Sequence, residues 1–384
     1  MSMNKMFKKV LAVVAAGAMT MGMAMPTFAA DGGKTTEAWI TKTYNTEVGK
    51  SEKFSFTAEQ VKTGTGIITT DAAVTMPEIS FTDTETGTIS KRSQITFPTY
   101  PEAGKYEYTV TETQTADPIV ANSEHEKMIM SQAEYTMDVY VTDGATGTEI
   151  SNIVVNKVRD DAGQTETGKV DIGNTDTNTF IFTNTYVQEA GTGTNPTNPD
   201  PIYNQFGSLN VSKKIVNANG TTTTPDDEFT FTATFAFPNG TDASTLGGIK
   251  DANGGDVTLA EGGTYTFHLK ANKNMKFTGV PVGTTITVKE SAAKNYKGSA
   301  EITINGTKLT SVAATSYNTE FTVVNSQNSQ KLGRKQNTVD VTNTYNDVPV
   351  TGIIMNTLPY VLMIALCGVA LIAFVGFKRR RLQK

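Results

Sequence analysis

Two copies of the phrase Thr-Asn-Thr-Tyr carry the asparagines that stand out as candidates for chemistry in this sequence. The copies occupy residues 183–186 and 342–345, and each one closes a long Thr-rich segment. An asparagine near the end of a strand is most often a turn or edge residue. The role of these two asparagines therefore depends on which other residues recur with them.

Each Thr-rich segment also contains a lysine on its first predicted strand and a glutamate on a middle one. Lysine and glutamate lie 70 (112 − 42) positions apart in the first segment and 77 (290 − 213) in the second, and lysine and asparagine lie 142 (184 − 42) and 130 (343 − 213) apart. A lone lysine or glutamate on an alternating strand is usually solvated. The ordered recurrence of all three residue types favours a shared chemical role for Lys42, Glu112 and Asn184, and for Lys213, Glu290 and Asn343.

The elements that must position these residues are short strands. Runs such as YEYTVTE and EFTFTATF alternate apolar and polar residues with period two, are rich in Thr, Val, Tyr and Phe, and end at Gly or Asp turns. We therefore predict an all-β protein with two tandem Ig-like β-sandwich domains, at 31–187 and 207–347. The Pro/Thr/Asn-rich residues 188–206 are predicted to form a linker without helix or strand, and one short helical turn is expected within residues 122–135.

The assignment in the second domain has alternatives. Lys214 adjoins Lys213, and Asn325 ends another predicted strand. Alternation favours Lys213, because it shares one strand face with Leu209 and Val211.

Both ends of the chain carry export and membrane signals. Residues 1–30 combine early lysines, an apolar stretch and small residues at a cleavage spacing, as in a signal peptide. Residues 348–384 read VPVTG, then an apolar run at 353–377 long enough to span a membrane, then a basic tail that is expected to stay in the cytoplasm. This order resembles the cell-wall sorting signal of Gram-positive bacteria, with valine in place of the usual leucine.

Composition argues against several functional classes. The net charge is −5 and no basic patch lies outside the tail, so nucleic acid is not an expected partner. The chain has two histidines and one cysteine, Cys367, which lies within the predicted span. A zinc site, a histidine-based triad and a disulfide framework are therefore not predicted, and we expect no cofactor and no metal.

The phrases GKYEYTVTE, FTNTY, LNVSKKIV and VTNTY, in duplicated order, resemble the Gram-positive backbone pilins of the streptococcal T-antigen type. That resemblance implies a Lys–Asn isopeptide bond in each domain, at Lys42–Asn184 and Lys213–Asn343, formed with the assistance of Glu112 and Glu290. Elementary physical chemistry supports such a reaction. Burial favours an uncharged lysine and a protonated carboxyl, and folding holds the three groups together. Such a bond forms once per domain, so the chain is not expected to be a turnover enzyme.

The resemblance also implies processing by a sortase that cleaves between Thr351 and Gly352 and transfers the Thr351 carbonyl to an amine. The acceptor would be a lysine near the end of the first domain, for which Lys169 and Lys157 are the candidates. The predicted function is thus a structural pilus subunit, exported to the cell surface, whose partners are a pilin-type or housekeeping sortase, other copies of the pilin and peptidoglycan. The alternative is a monomeric wall-anchored adhesin or minor pilin of the same fold that binds a host or surface ligand.

Overall fold

The structure is a computed structural model, and it describes residues 35–218, 225–324 and 331–346, together with 363, 364, 366, 367, 369 and 370. Almost all regular structure in these ranges is β-strand. The all-β part of the fold prediction is therefore confirmed. The chain divides into two compact units, the first made of Met1–Asp200, Phe237–Ile249 and Gly279–Gly283, the second of Pro201–Ala236, Lys250–Thr278 and Thr284–Lys384.

In its described residues, the first unit contains ten strands in two sheets. One sheet has the order β4-β1-β10-β6 and the other the order β3-β2-β5-β7-β8-β9. The strands are β1 (Trp39–Thr46), β2 (Glu52–Gln60), β3 (Glu78–Phe81), β4 (Gly87–Gln94), β5 (Gly104–Glu112), β6 (Glu126–Ile129), β7 (Glu134–Gly144), β8 (Gly147–Arg159), β9 (Thr165–Lys169) and β10 (Ile181–Gln188).

Aromatic side chains from both sheets fill the core of the first unit, as alternating strands with one inward face require. Tyr44 of β1 packs against Phe54 of β2 with ring centroids 5.3 Å apart, and Phe182 of β10 packs against Phe56 of β2 at 5.1 Å. These contacts join the two sheets face to face. Any polar side chain that shares the inward faces of β1, β5 and β10 is therefore enclosed by aromatic rings.

Among the described residues between 201 and 346, the second unit contains one short helix and ten strands. Its sheets have the orders β14-β11-β20-β16-β17, with β18 also on β16, and β13-β12-β15-β19. The elements are α1 (Pro201–Phe206), β11 (Leu209–Asn217), β12 (Glu228–Ala236), β13 (Thr264–Lys270), β14 (Lys273–Phe277), β15 (Thr285–Glu290), β16 (Tyr296–Ile304), β17 (Thr307–Lys308), β18 (Val312–Ala313), β19 (Phe321–Val324) and β20 (Thr338–Tyr345).

In each unit the first and last strands of the sequence lie side by side and run parallel. β1 pairs with β10, and β11 pairs with β20. Strands so far apart in sequence can meet only through the closed topology of the whole domain. This pairing brings the two ends of each domain into one sheet.

Two local predictions are wrong. Residues 122–135 contain no helix; they hold β6 and the start of β7, because Glu126 and Met128 alternate inward as in a strand. The predicted linker at 188–206 is not free of regular structure, since β10 extends to Gln188 and α1 occupies Pro201–Phe206. Proline at the first position of a helix has no amide hydrogen to lose and a favourable φ, which explains the start of α1.

The terminal signals lie largely outside the described residues. This holds for the predicted signal peptide at 1–30, for the pentapeptide with Thr351 and Gly352, and for most of the predicted span at 353–377. Within the ranges that the structure describes, no helix has the length and apolar character needed to cross a membrane.

Candidate functional site

Strand alternation turns the three candidate residues of the first domain inward. Lys42 shares the buried face of β1 with Ile40 and Tyr44, and Glu112 is the last inward-facing residue of β5. Asn184 lies on the buried face of β10. The period of two in the sequence thus determines that the amine, the carboxyl and the amide all point into the core.

Strand register then decides how close the lysine and the asparagine lie. In the parallel β1–β10 pair, Lys42 is opposite Phe182 and Tyr44 is opposite Asn184. Lysine and asparagine are therefore diagonal neighbours on one face of one sheet. Glu112 reaches them from the other sheet, across the core.

We call Lys42, Glu112 and Asn184 the first site. The Lys42 Nζ lies 2.8 Å from Glu112 Oε1 and donates to Oε2 at 3.0 Å. The Asn184 Nδ2 donates to Glu112 Oε1 at 2.9 Å. Lys42 and Asn184 are fully buried and Glu112 is 3% exposed. The carboxyl therefore bridges the amine and the amide in a site that excludes water.

Burial shifts the acid–base properties of the first site. It lowers the pKa of Lys42 from 10.5 to about 8, against the opposing attraction of Glu112. Burial also raises the pKa of Glu112 above its usual range, although the ammonium of Lys42 opposes this. The Phe54 ring, whose centroid lies 4.5 Å from Lys42 Nζ, is part of the apolar wall that causes the shift. Both shifts favour the uncharged amine and the uncharged acid.

The second site, made of Lys213, Glu290 and Asn343, repeats the arrangement in the second unit. The Lys213 Nζ donates to Glu290 Oε1 at 2.6 Å, and the Asn343 Nδ2 donates to the same oxygen at 2.7 Å. All three residues are at most 2% exposed. Burial lowers the pKa of Lys213 to about 8 and raises the pKa of Glu290.

The register of the second site matches that of the first. In the parallel β11–β20 pair, Lys213 is opposite Val341 and Ile215 is opposite Asn343. In both units the asparagine therefore lies two residues beyond the strand partner of the lysine. Two units of different sequence thus bring together the same three residue types through the same offset between their first and last strands.

The structure distinguishes Lys213 from its alternative Lys214 and describes Asn343 but not its alternative Asn325. Lys214 lies on the exposed face of β11, as alternation requires when Lys213 is buried. Asn325 lies outside the described residues. Asn343, by contrast, occupies the buried face of β20 and contacts Glu290.

Two residues at the first site were missed by sequence reasoning. The main-chain N–H of Ser131 donates to Asn184 Oδ1 at 2.7 Å. Asp161 in turn accepts a hydrogen bond from the Ser131 hydroxyl at 2.5 Å. Ser131 lies in the segment for which a helical turn was predicted, and a main-chain donor leaves no mark in residue type. No signal in the sequence could have identified this contact.

The two candidate acceptor lysines lie on neighbouring strands of the first unit. Lys169 ends the edge strand β9 and is exposed, as is the whole of that strand. Lys157 lies on β8 and forms an ion pair with Glu166 at 3.3 Å, with Nζ 6.0 Å from the centroid of the Tyr135 ring. The amine of Lys169 is therefore the more accessible of the two.

Among the residues that the structure describes, no group of three or more His, Cys, Asp or Glu side chains is arranged to hold a metal ion.

Family models match both domains. Residues 38–187 match the family described as the Spy0128-like isopeptide containing domain. Residues 207–345 match a different model, described as a domain of unknown function (DUF7601). The first match confirms the resemblance to the T-antigen type of pilin over the first domain, where the Lys42, Glu112 and Asn184 set lies. No curated protein matches the chain.

Solved structures similar to this chain include two of Streptococcus pyogenes major pilins. One is 20% identical and covers 81% of this chain and 99% of its own, with a TM-score of 0.31. The other is 19% identical and covers 80% and 99%, with a TM-score of 0.32. A Mobiluncus mulieris adhesin that contains intramolecular disulfide, isopeptide and ester bond cross-links is 16% identical and covers 79% and 86%, with a TM-score of 0.22.

Proposed function

We propose that this chain, whose residues 38–187 match the family described as the Spy0128-like isopeptide containing domain, is a structural subunit of a Gram-positive cell-surface pilus. In this proposal each domain crosslinks itself through one Lys–Asn isopeptide bond. The observation that carries the proposal is the recurrence of a buried lysine, glutamate and asparagine with the same strand offset in both units. The exported chain is then joined to its neighbours or to the cell wall by a sortase.

Crosslinking begins with an uncharged lysine, because an ammonium has no lone pair with which to attack. The fall in the pKa of Lys42 from 10.5 to about 8 raises the uncharged fraction at neutral pH by roughly 300-fold. Glu112 lies within hydrogen-bond distance of both the amine and the amide nitrogen, so it is suited to carry protons between them. The fold holds the reacting groups together, which replaces an encounter in solution.

The reaction balances without any other reagent. The Lys42 amine adds to the carboxamide carbon of Asn184, and the carbonyl electron pair moves to Oδ1. The protonated Glu112 delivers its proton to the Asn184 nitrogen and takes the proton that the amine loses. When the carbonyl re-forms, the bond to that nitrogen breaks and ammonia leaves. Lys213, Glu290 and Asn343 carry out the same steps in the second domain, and each domain reacts once.

A bond between the first and last strands of a domain suits a protein that carries tension. Pulling on the two ends of a domain loads β1 and β10 in opposite directions, since these strands are parallel neighbours. Without the bond, only noncovalent contacts resist this shear. With the bond, force passes through covalent links, and the residues between Lys42 and Asn184 are not stretched.

Assembly requires a further lysine amine, outside the two sites. A sortase would transfer the Thr351 carbonyl of one subunit to a lysine of the next. The exposure of Lys169 at the end of an edge strand supports it over Lys157, whose amine is engaged by Glu166. An accessible amine is needed because the sortase-bound peptide must reach it.

Intact-mass measurement of the purified chain tests the crosslinks. We expect a deficit of two ammonia molecules relative to the sequence mass. Glu112→Ala and Glu290→Ala should each restore one ammonia, because each removes the proton carrier of one site. Glu107→Ala is the matched control, since Glu107 lies on the same strand as Glu112 but on its outward face. A wild-type chain with the full sequence mass would refute the crosslinking chemistry.

Denaturing gels of cell-wall extracts test assembly. A pilus subunit should give a ladder of covalent polymers, and Lys169→Arg should remove the ladder while Lys157→Arg retains it. Arginine preserves the charge but is not a substrate for acyl transfer at neutral pH. A wild-type chain that appears only as a wall-linked monomer would instead support the alternative of a monomeric adhesin or minor pilin.

A further inference from the structure

The carboxamide oxygen of Asn184 has a partner that the crosslinking steps above do not use. The Ser131 main-chain N–H lies 2.7 Å from Asn184 Oδ1, and an N–H can only donate. The contact therefore fixes the orientation of the amide, with its oxygen towards Ser131 and its nitrogen towards Glu112. In the second site, the buried Asn343 Oδ1 has no hydrogen-bond partner among the described residues.

Asp161 holds this donor in position. The Asp161 Oδ1 accepts hydrogen bonds from the Ser131 hydroxyl at 2.5 Å and from the Thr183 main-chain N–H at 2.8 Å. The Asp161 main-chain carbonyl accepts from the Gln132 N–H at 3.0 Å. Asp161 thus links the segment that contains Ser131 to Thr183, the residue before Asn184 on β10. Ser131 is 1% exposed, so water does not compete for its N–H.

We propose that the Ser131 main-chain N–H is the oxyanion-stabilising donor for isopeptide formation in the first domain, and that Asp161 is the residue that positions it. This inference rests on the proposed crosslinking. When the Lys42 amine adds to the Asn184 carbon, the carbonyl electron pair becomes a negative charge on Oδ1, where the Ser131 N–H already points. The same N–H keeps its hydrogen bond when the carbonyl re-forms and ammonia leaves.

The environment makes this donor effective. A preorganised N–H in a site without water stabilises a developing oxyanion without first having to reorient, and removal of one such donor slows acyl-transfer reactions by about 10²–10³-fold. Replacing Asp161 would loosen the Ser131 donor without removing it. We therefore expect a smaller effect, on the order of ten- to a hundredfold.

Asp161 also acts on the site through its charge, and the two roles predict opposite results. Its negative charge raises the pKa of Lys42. Removal of the charge alone would therefore favour the uncharged amine and speed the reaction. Removal of the hydrogen bonds would misplace the donor and slow it. Asp161→Asn removes the charge and retains an oxygen acceptor, whereas Asp161→Ala removes both.

The experiment follows both bonds in one molecule. The full-length chain is made by cell-free synthesis in detergent, stopped with denaturant at successive times, and digested. Mass spectrometry then measures the Lys42–Asn184 and Lys213–Asn343 crosslinked peptides. The second bond serves as the internal reference. We expect Asp161→Ala to slow the first bond ten- to a hundredfold relative to the second, and Asp161→Asn to restore the wild-type rate or exceed it.

Asp160→Ala is the matched control. Asp160 precedes Asp161 in the chain, and its side chain accepts hydrogen bonds from the Ala162 and Gln164 N–H groups and not from Ser131. Replacement of Asp160 should leave the ratio of the two bond-formation rates unchanged. If Asp161→Ala proves protease-sensitive as synthesised, Ser131→Ala decides instead, because it keeps the N–H, removes the hydroxyl contact with Asp161 and should still slow the first bond.

Three results would overturn the inference. The first is an Asp161→Ala chain in which the rate of the first bond relative to the second is unchanged, and the second is an Asp161→Asn chain that forms the first bond as slowly as Asp161→Ala. The third, where Ser131→Ala is the deciding variant, is an unchanged relative rate in that chain. Failure of the proposed function looks different. In that case neither crosslinked peptide would form in the wild-type chain at any time.

Discussion

Replacing Lys42 by methionine is expected to turn a first domain that resists extension into one that unravels under tension. Methionine is apolar and similar in length to the lysine stem, so it suits the aromatic surroundings of Lys42 and keeps the packing of β1. The substitution removes the attacking amine and therefore the crosslink. β1 and β10 then remain joined only by noncovalent contacts.

The expected length change follows from the strand pairing. Lys42 and Asn184 are 142 (184 − 42) positions apart in sequence, yet they lie on neighbouring strands of one sheet. A fully extended chain spans about 3.3–3.6 Å per residue, so unravelling between these residues releases roughly 470–510 Å. In the crosslinked domain this length is not available to the applied force.

Single-molecule force spectroscopy of the chain, tethered through its two ends, measures this length directly. The wild-type chain should show no event of this size, and Lys42→Met should show one. Lys127→Met is the matched control, since Lys127 is an exposed lysine on β6. Lys213→Met should release roughly 430–470 Å from the second domain. A wild-type first domain that releases the same length as Lys42→Met would refute the reasoning.

Three further predictions concern stability, pH and packing. Lys42→Met should lower the free energy of unfolding of the first domain by about 5 kcal/mol, if the loop-entropy relation for disulfides applies, and its Tm by roughly 10–20 °C in calorimetry; an unchanged Tm would contradict this. The rate of first-bond formation, measured by peptide mass spectrometry, should rise about tenfold per pH unit up to about pH 8 and then level off, because the pKa of Lys42 is lowered to about 8 and only the uncharged amine attacks. A rate that does not change between pH 6 and about 8 would argue against this role of the amine. Gly298→Ala should slow the second bond and spare the first, because an added Cβ would lie 2.6 Å from the Phe321 ring and 3.2 Å from Asn343 Oδ1; equal rates for both bonds would remove this explanation.

Local sequence pattern was enough to predict which of these side chains enter the core. Alternation with period two on short, Thr- and aromatic-rich strands placed Lys42 and Lys213 on inward faces and distinguished Lys213 from Lys214. This is possible because the direction of a side chain along a strand depends only on local geometry. The all-β class followed from the same pattern. A repeat of three residue types in the same order then indicated that the buried positions belong together.

The distances between these groups and their hydrogen-bond partners depend on the three-dimensional fold. The parallel pairing of β1 with β10, and of β11 with β20, joins residues more than a hundred positions apart, and no local pattern specifies such a register. The same limit explains the errors at residues 126–129 and at Gln188, because β6 forms by pairing with the end of β10. The Ser131 N–H is the clearest case, because every residue except proline carries that group, and only the fold determines which one points at the Asn184 carbonyl.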